Sequence, residues 1–210
     1  MNLLLTGFNA FGPHPTNPSE RLARQLQPPP AIRSRLTMRS HVLPTEFGAV
    51  RRLVPRLLAE HQPDAWLALG LDGKRAGLSL ERRAVNRNDA RRPDNAGECP
   101  RNRPILPHGP PEYASTLPLA AMCAALRQHS IPVRLSDDAG TFVCNHLLYL
   151  TLHAARTRHP DLRCGFIHVP IPAQSAPHAP GHERPATSPL TLAELDKAVQ
   201  ICLSVIAASA

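Results

Sequence analysis

Short apolar runs of strand length alternate with stretches of helical spacing along almost the whole chain, and few architectures accept that order. Residues 2–6 read as a buried strand ending at Gly7. Asn17-Pro18-Ser19-Glu20 reads as a helix start, with Asn17 as cap, Pro18 in the first turn and Glu20 in the capping-box position. That helix is expected to stop before Pro28-Pro29-Pro30. Leu36, Met38, Ser40 and Val42 alternate, which predicts a strand over 35–43. Val50, Leu53, Val54, Leu57 and Leu58 place a helix over 45–61, and Pro55 inside it predicts a kink or a restart. Residues 65–69 form a central strand closed by Gly70, and Leu78 and Leu80 mark another. Residues 86–111, rich in Arg, Asn, Asp and Pro, read as a long loop. Further helices are expected over 116–129 and 141–157, with strands over 132–135 and 164–169. Residues 170–189 hold six prolines and predict a mobile loop. A last helix over 191–208 has Thr191 as cap and Glu194 three residues on.

This order predicts an α/β fold, a single-domain three-layer sandwich over 1–210: a mostly parallel twisted sheet with helices on both faces. At 210 residues and 42% hydrophobic, the chain is long and apolar enough for one real core. Cys99, Cys123, Cys144, Cys164 and Cys202 are odd in number and form no Cys-x-x-Cys pair, which argues against a disulfide scaffold and a zinc finger. The Leu3-Leu4-Leu5 run is shorter than a signal peptide or a spanning helix needs. The expectation is therefore a cytoplasmic protein with reduced thiols and no membrane partner.

The net charge of +8 raises nucleic acid as a partner. All but two of the 24 basic residues, Lys74 and Lys197, are arginines scattered in ones and twos. Aromatics are only 4%, so stacking platforms are few. Nucleic-acid binding thus ranks low and no nucleic acid is expected. His178 and His182 lie four apart in a Pro-rich loop, a spacing that defines no metal site, and no metal or cofactor is expected.

The stretch Ser136 to His146 carries the chemistry. A turn of small residues leads into a helix, which puts Cys144 in or near its first turn, where the positive helix end favours a thiolate. Cys123, Cys164 and Cys202 sit in apolar segments and read as structural, and Cys99 has no evident role. A nucleophilic Cys needs a base. His146 is two residues on and faces away, and His153 is two turns too far. His168 ends a strand, and the carboxyl ends of strands are where sites form in open α/β sheets. A helix start meets that same edge, so Cys144 and His168 are able to converge there. Glu81, in an otherwise apolar strand, is a candidate to orient the imidazole, with Asp137 and Asp138 as rivals.

Four segments, in order, resemble the pyroglutamyl peptidase I (pyrrolidone-carboxylate peptidase) family of cysteine peptidases. They are Gly7-Phe8-Asn9-Ala10-Phe11-Gly12 with Asn17-Pro18-Ser19; Leu80-Glu81-Arg82 through Asn95; Ala139 through His146; and Gly165-Phe166-Ile167-His168-Val169-Pro170. The match spans most of residues 1–172. The resemblance implies a Glu81–Cys144–His168 triad, removal of N-terminal pyroglutamyl residues from peptides, and a homo-oligomer, tetramer or dimer. It makes Arg91 a helper to an oxyanion hole built on the Cys144 N–H. The pyroglutamyl ring is a compact neutral lactam, suited to aromatic walls and two polar partners. Phe8, Phe11 and Phe142 are the expected walls, and the Leu71 carbonyl and a group near Asn17 the expected partners. The chain departs from the family pattern at Ala10, where Pro is common, at Lys74, where Gly is frequent, and at Pro55. A related cysteine amidase with an altered acyl preference is the alternative, and a basic nucleic-acid-binding module ranks behind it.

Overall fold

The structure, a computed structural model, describes residues 1–12, 14–173 and 190–209. Six strands form one sheet: β1 (Asn2–Phe8), β2 (Thr37–Leu43), β3 (Ala65–Leu71), β4 (Leu78–Glu81), β7 (Val133–Ser136) and β8 (Arg163–Val169). Their order is β2-β1-β3-β8-β4-β7, and β5 (Arg83–Val85) and β6 (Glu112–Ala114) make a separate antiparallel pair. The helices are α1 (Pro18–Gln25), α2 (Phe47–His61), α3 (Leu119–Gln128), α4 (Val143–Thr157) and α5 (Leu192–Ala208). Every pairing in the large sheet is parallel except β4 with β8. The expected mostly parallel sheet with helices on both faces is what forms.

Strand side chains alternate between faces, and the central strands are buried on both. Leu3, Leu5, Leu67, Leu69, Leu80, Ile167 and Val169 join residues of α1, α3 and α5 in one apolar layer. Leu4, Trp66, Ala68, Cys164 and Phe166 point the other way and pack with α2 and α4. Full burial of one such side chain is worth about 1.5–3 kcal/mol. Buried Trp66 satisfies its indole N–H on Thr6 Oγ1 at 2.9 Å.

The end signals act largely as expected. Asn17 Oδ1 accepts the Ser19 N–H and caps α1, while Glu20 turns to Arg24, one turn on, instead of closing a capping box. Thr191 and Glu194 do close a capping box at the start of α5. Pro55 neither breaks nor restarts α2, which runs unbroken from Phe47 to His61. Pro55 and Arg51, whose carbonyl loses its partner, both face solvent, where water replaces the missing bond. Gly70 does not close β3 either, since the strand continues to Leu71 alongside β8.

The loop expected over 86–111 holds no helix or named strand, yet side chains knit it to the body. Asn86 bonds Leu106 and Gly109, and Asn88 and Arg103 form an isolated bridge. The Asp94 carboxylate accepts the N–H groups of Phe47, Ala96 and Glu98, capping α2 from outside. β6, directly after this loop, was not expected as a strand. The Pro-rich loop expected over 170–189, with His178 and His182, lies outside the described residues from 174 on.

Candidate active site

β8 carries Cys164, Phe166 and His168 on the face that meets α4, and its register places Gly70 of β3 beside His168. On its other side, antiparallel β4 sets Ser79 opposite His168 and Glu81 opposite Phe166. Glu81 thus lies diagonally from His168 on the same face, a separation that long side chains span. Its Oε1 accepts the His168 Nδ1–H at 2.9 Å, with Glu81 fully buried and His168 7% exposed. Arg75 stands 3.9 Å from the same oxygen. Glu81 Oε2 has no hydrogen-bond partner among the described residues. The rivals for the third position are engaged elsewhere. Asp137 pairs with Arg82, and Asp138 Oδ1 accepts the Gly140 N–H at 2.9 Å.

Cys144 is the second residue of α4, after a turn in which Gly140 takes φ +77°. Phe142 occupies the cap position without a side-chain cap bond, so the first N–H groups of α4 point out of the helix at its positive end. The thiol rests on the backbone of β3. A Cβ at Gly70 would lie 2.9 Å from Cys144 Sγ and 2.6 Å from Phe166 Cζ, so only glycine fits there. Burial alone disfavours the His168 imidazolium, but hydrogen bonding to Cys144 and Glu81, and their charges, outweigh it and push the pKa up to about 10. Cys164 and Cys202 are opposite in character: burial pushes both thiols up to about 12, which leaves them inert.

The residues after Cys144 hold the helix in place. Asn145 accepts the Val85 N–H and donates to the carbonyls of Val85 and Arg87, completing the edge of β5. His146 Nδ1 hydrogen-bonds Asn88 Oδ1 at 3.1 Å, and the ring stands edge-on to Phe47. Burial first, then the charge of Arg51, holds its pKa down to about 3, so it is a neutral structural group. Sequence reasoning excluded His146 as the base but missed this bracing role. The available signal was two consecutive polar residues in an otherwise apolar helix.

Cys144 and His168 open onto a cavity of ≈ 450 Å³, which Phe8, Phe11, Asn17, Leu71 and Phe142 also line. That volume suits a small organic group with a peptide tail. The Phe11 and Phe142 rings are 4.9 Å apart, and Phe47 stands edge-on to Phe142 at 5.2 Å. Asn17 lines the cavity but spends its side chain locally, on Ser19 and on the Asn9 carbonyl. Arg91 is exposed and is not among the residues that line the cavity. Its neighbour Arg92 does, with the guanidinium 5.9 Å from the Phe11 ring centre. Thr45, Lys74 and Arg75 are further lining residues not anticipated. A larger cavity of ≈ 530 Å³ lies at the opposite end of the sheet, around Asn2, Thr37, Glu60 and His61, away from the thiol. No cluster of three metal-binding side chains occurs among the described residues.

Comparisons with known proteins bear on the family and the fold. A family model described as pyroglutamyl peptidase matches residues 1–208. The pyrrolidone-carboxylate peptidase of Levilactobacillus brevis is 42% identical over 171 residues, 81% of this chain and 82% of its own. That of Streptococcus suis is 36% identical over 207 residues, 98% of this chain and 92% of its own. Among solved structures, pyroglutamyl peptidase I of Bacillus amyloliquefaciens superposes with a TM-score of 0.84 at 33% identity, covering 99% of this chain and 97% of that one. A variant of the pyrrolidone carboxyl peptidase of the hyperthermophile Pyrococcus furiosus gives 0.89 at 32% identity, covering 100% and 99%. A match along nearly the whole length, on a fold that sets Cys144 and His168 on one cavity with Glu81 behind the histidine, leaves one conclusion: the chain belongs to the pyroglutamyl peptidase family.

Proposed function

We propose that the protein is a cysteine exopeptidase that removes N-terminal pyroglutamyl (5-oxoprolyl) residues from peptides through a thioester on Cys144. The observation that carries this reading is the hydrogen bond that ties His168 to buried Glu81, with His168 and Cys144 both at the wall of one aromatic-lined cavity. His168 holds the thiol proton as imidazolium, and Glu81 fixes the ring by accepting Nδ1–H and supplies the counter-charge. The thiolate attacks the pyroglutamyl carbonyl carbon. Negative charge moves to the carbonyl oxygen, which the N–H groups at the start of α4 meet; one such donor is worth about 3–4 kcal/mol in the transition state. As the C–N bond breaks, His168 Nε2 gives its proton to the leaving amine. The neutral imidazole then takes a proton from water, and the hydroxide oxygen attacks the thioester. Pyroglutamate leaves with its new carboxyl oxygen, and the thiolate and imidazolium are restored.

The ring fits between Phe8, Phe11 and Phe142, with the Leu71 carbonyl as the acceptor for the lactam N–H. Arg91 remains the helper that the family resemblance implies for the oxyanion, and its neighbour Arg92 lines the cavity. We read the chain as one catalytic domain over 1–210. The family resemblance supports a homo-oligomer, tetramer or dimer. A cytoplasmic setting fits a catalytic thiol and five unpaired cysteines. No helix among the described residues is long and apolar enough to cross a membrane.

The test is release of a fluorescent arylamine from a pyroglutamyl arylamide under reducing conditions. Turnover by the wild type that disappears in a folded Cys144→Ala variant is expected. A folded wild type that leaves the arylamide intact, while cleaving another acyl arylamide, overturns the pyroglutamyl assignment.

A further inference from the structure

The connection between β3 and β4 is forced across the reaction centre. These strands flank β8 on opposite sides, so residues 72–77 pass over the end of β8 that carries His168. Several bonds hold the turn there. The Asp72 N–H donates to the Val169 carbonyl at 3.0 Å. Arg75 pairs with Asp72 at 2.7 Å and donates to Ser79 Oγ at 2.7 Å. Gly73 packs so closely that a Cβ there would lie 3.0 Å from Ile171 and 3.8 Å from His14. Asp72, Gly73, Lys74 and Arg75 all line the cavity.

His168 protonates the departing amine, so the peptide beyond the scissile bond lies on its side of the thiol, under this turn. The charges facing that region are unequal. Asp72 and Arg75 neutralise each other, and Asp138, whose Oδ1 accepts the Gly140 N–H, is the one further carboxylate among the described lining residues. Lys74 and Arg92 line the same cavity and have no carboxylate partner among the described residues. Lys74 is exposed, and its backbone is pinned by its N–H on Asp72 Oδ1 at 3.1 Å. Arg92 packs over Phe11 and beside Gly12, in the same loop as His14, which lies next to Gly73.

We propose that Lys74, with Arg92 in support, forms a cationic subsite for a carboxylate on the leaving part of the peptide. The inference rests on the peptidase reading above and adds a selection on the other side of the scissile bond. An exposed pair of this kind gives a preference of about two- to fivefold at low salt, fading as ionic strength screens it. The carboxylate has two sources, an acidic side chain on the first leaving residue or the free α-carboxylate of a dipeptide.

Two peptide pairs separate them. Pyroglutamyl-glutamyl amide against pyroglutamyl-glutaminyl amide reads the side chain. Pyroglutamyl-alanine against pyroglutamyl-alanyl amide reads the terminus. The measured quantity is the ratio of kcat/KM within each pair, so general changes in turnover cancel. The expected result is a ratio of about two to five favouring the acid in at least one pair, about one in Lys74→Ala, and inversion in Lys74→Glu. Wild-type ratios at or below one in both pairs, or a preference that survives Lys74→Glu, overturn the subsite. If the neutral pyroglutamyl arylamide is also left intact, the failure belongs to the peptidase reading and the subsite falls with it.

Discussion

The two faces of the sheet are built for different tasks. The layer under α1, α3 and α5 is a continuous apolar packing of side chains such as Leu5, Leu67, Leu69, Leu80, Ile167 and Leu203. The layer under α2 and α4 is as deeply buried but admits polar groups: Thr6, Ser79, Glu81, Asn145, His146 and His168 are all 7% exposed or less. The central strands contribute to both. Leu80 and Glu81 are neighbours in β4, and Ile167 and His168 are neighbours in β8. Period-two alternation lets these two pairs of adjacent residues carry stability on one side and chemistry on the other. Each of these residues has at least one partner, as His168 does on Glu81 and His146 Nδ1 on Asn88, while Glu81 Oε2 and His146 Nε2 have none among the described residues.

Substitutions on matched positions of the two faces sharpen this contrast. The largest effect on turnover is expected from His168→Ala, which removes both base and acid. A loss of about 10⁴-fold or more in kcat is expected with the melting transition retained. Next is Gly70→Ala, which drives a methyl group toward Cys144 Sγ and Phe166. Displacing the thiol by about 1 Å costs on the order of 10²-fold in kcat/KM. Its neighbour on the opposite face, Leu69→Ala, is expected to do the reverse. Denaturant unfolding should show a loss of about 2–5 kcal/mol, while kcat of the folded enzyme changes little. If Leu69→Ala cripples kcat and leaves stability intact, the division between the faces is wrong.

Glu81→Gln sharpens the polar face alone. Hydrogen bonding and charge from Cys144 and Glu81 raise His168 well above its ordinary value, to about 10. A group with a raised native pKa adds stability that is complete below its unfolded pKa, near 6.5, and is lost as pH rises through the native value. The imidazolium needed as acid disappears over the same alkaline window. Replacing the carboxylate with an amide should therefore move the alkaline limb of the kcat profile to lower pH. An unmoved limb would mean that Glu81 only fills space. The smallest expected effect lies on the apolar side. Thr191→Ala opens the capping box of α5 and should cost about 1 kcal/mol in thermal unfolding without altering kcat.

The contrast between the faces also explains what the sequence made legible. Glu81, Cys144 and His168 stand out because each breaks a local pattern: an acid in a run of leucines, a thiol after a small-residue turn, a histidine before Pro170 at a strand end. The family resemblance added the choice of Glu81 over Asp137 and Asp138. The reversed direction of β4 was not legible, because a strand's pattern is the same read either way and direction is set by which neighbours it pairs with. The order of the 86–111 segment was hidden because Asn and Asp side chains, not periodic burial, hold it. Arg91 was expected where Arg92 lines the cavity. Arg91 and Arg92 both lie in bends of an irregular loop, where no alternation indicates which neighbour faces the cavity. Pro55 failed to break α2 because the bond it removes faces water.

The most direct measurement is alkylation with limiting iodoacetamide, followed by peptide mapping and assay of pyroglutamyl arylamide turnover on the same samples. Cys164 and Cys202 are buried thiols with pKa values pushed up to about 12, so they should stay unlabelled in the folded protein. The account predicts that label at Cys144 rises in step with the loss of turnover, and that Cys99 labelling does not track it. Turnover that persists after Cys144 is fully alkylated, or that is lost with label elsewhere, would contradict it.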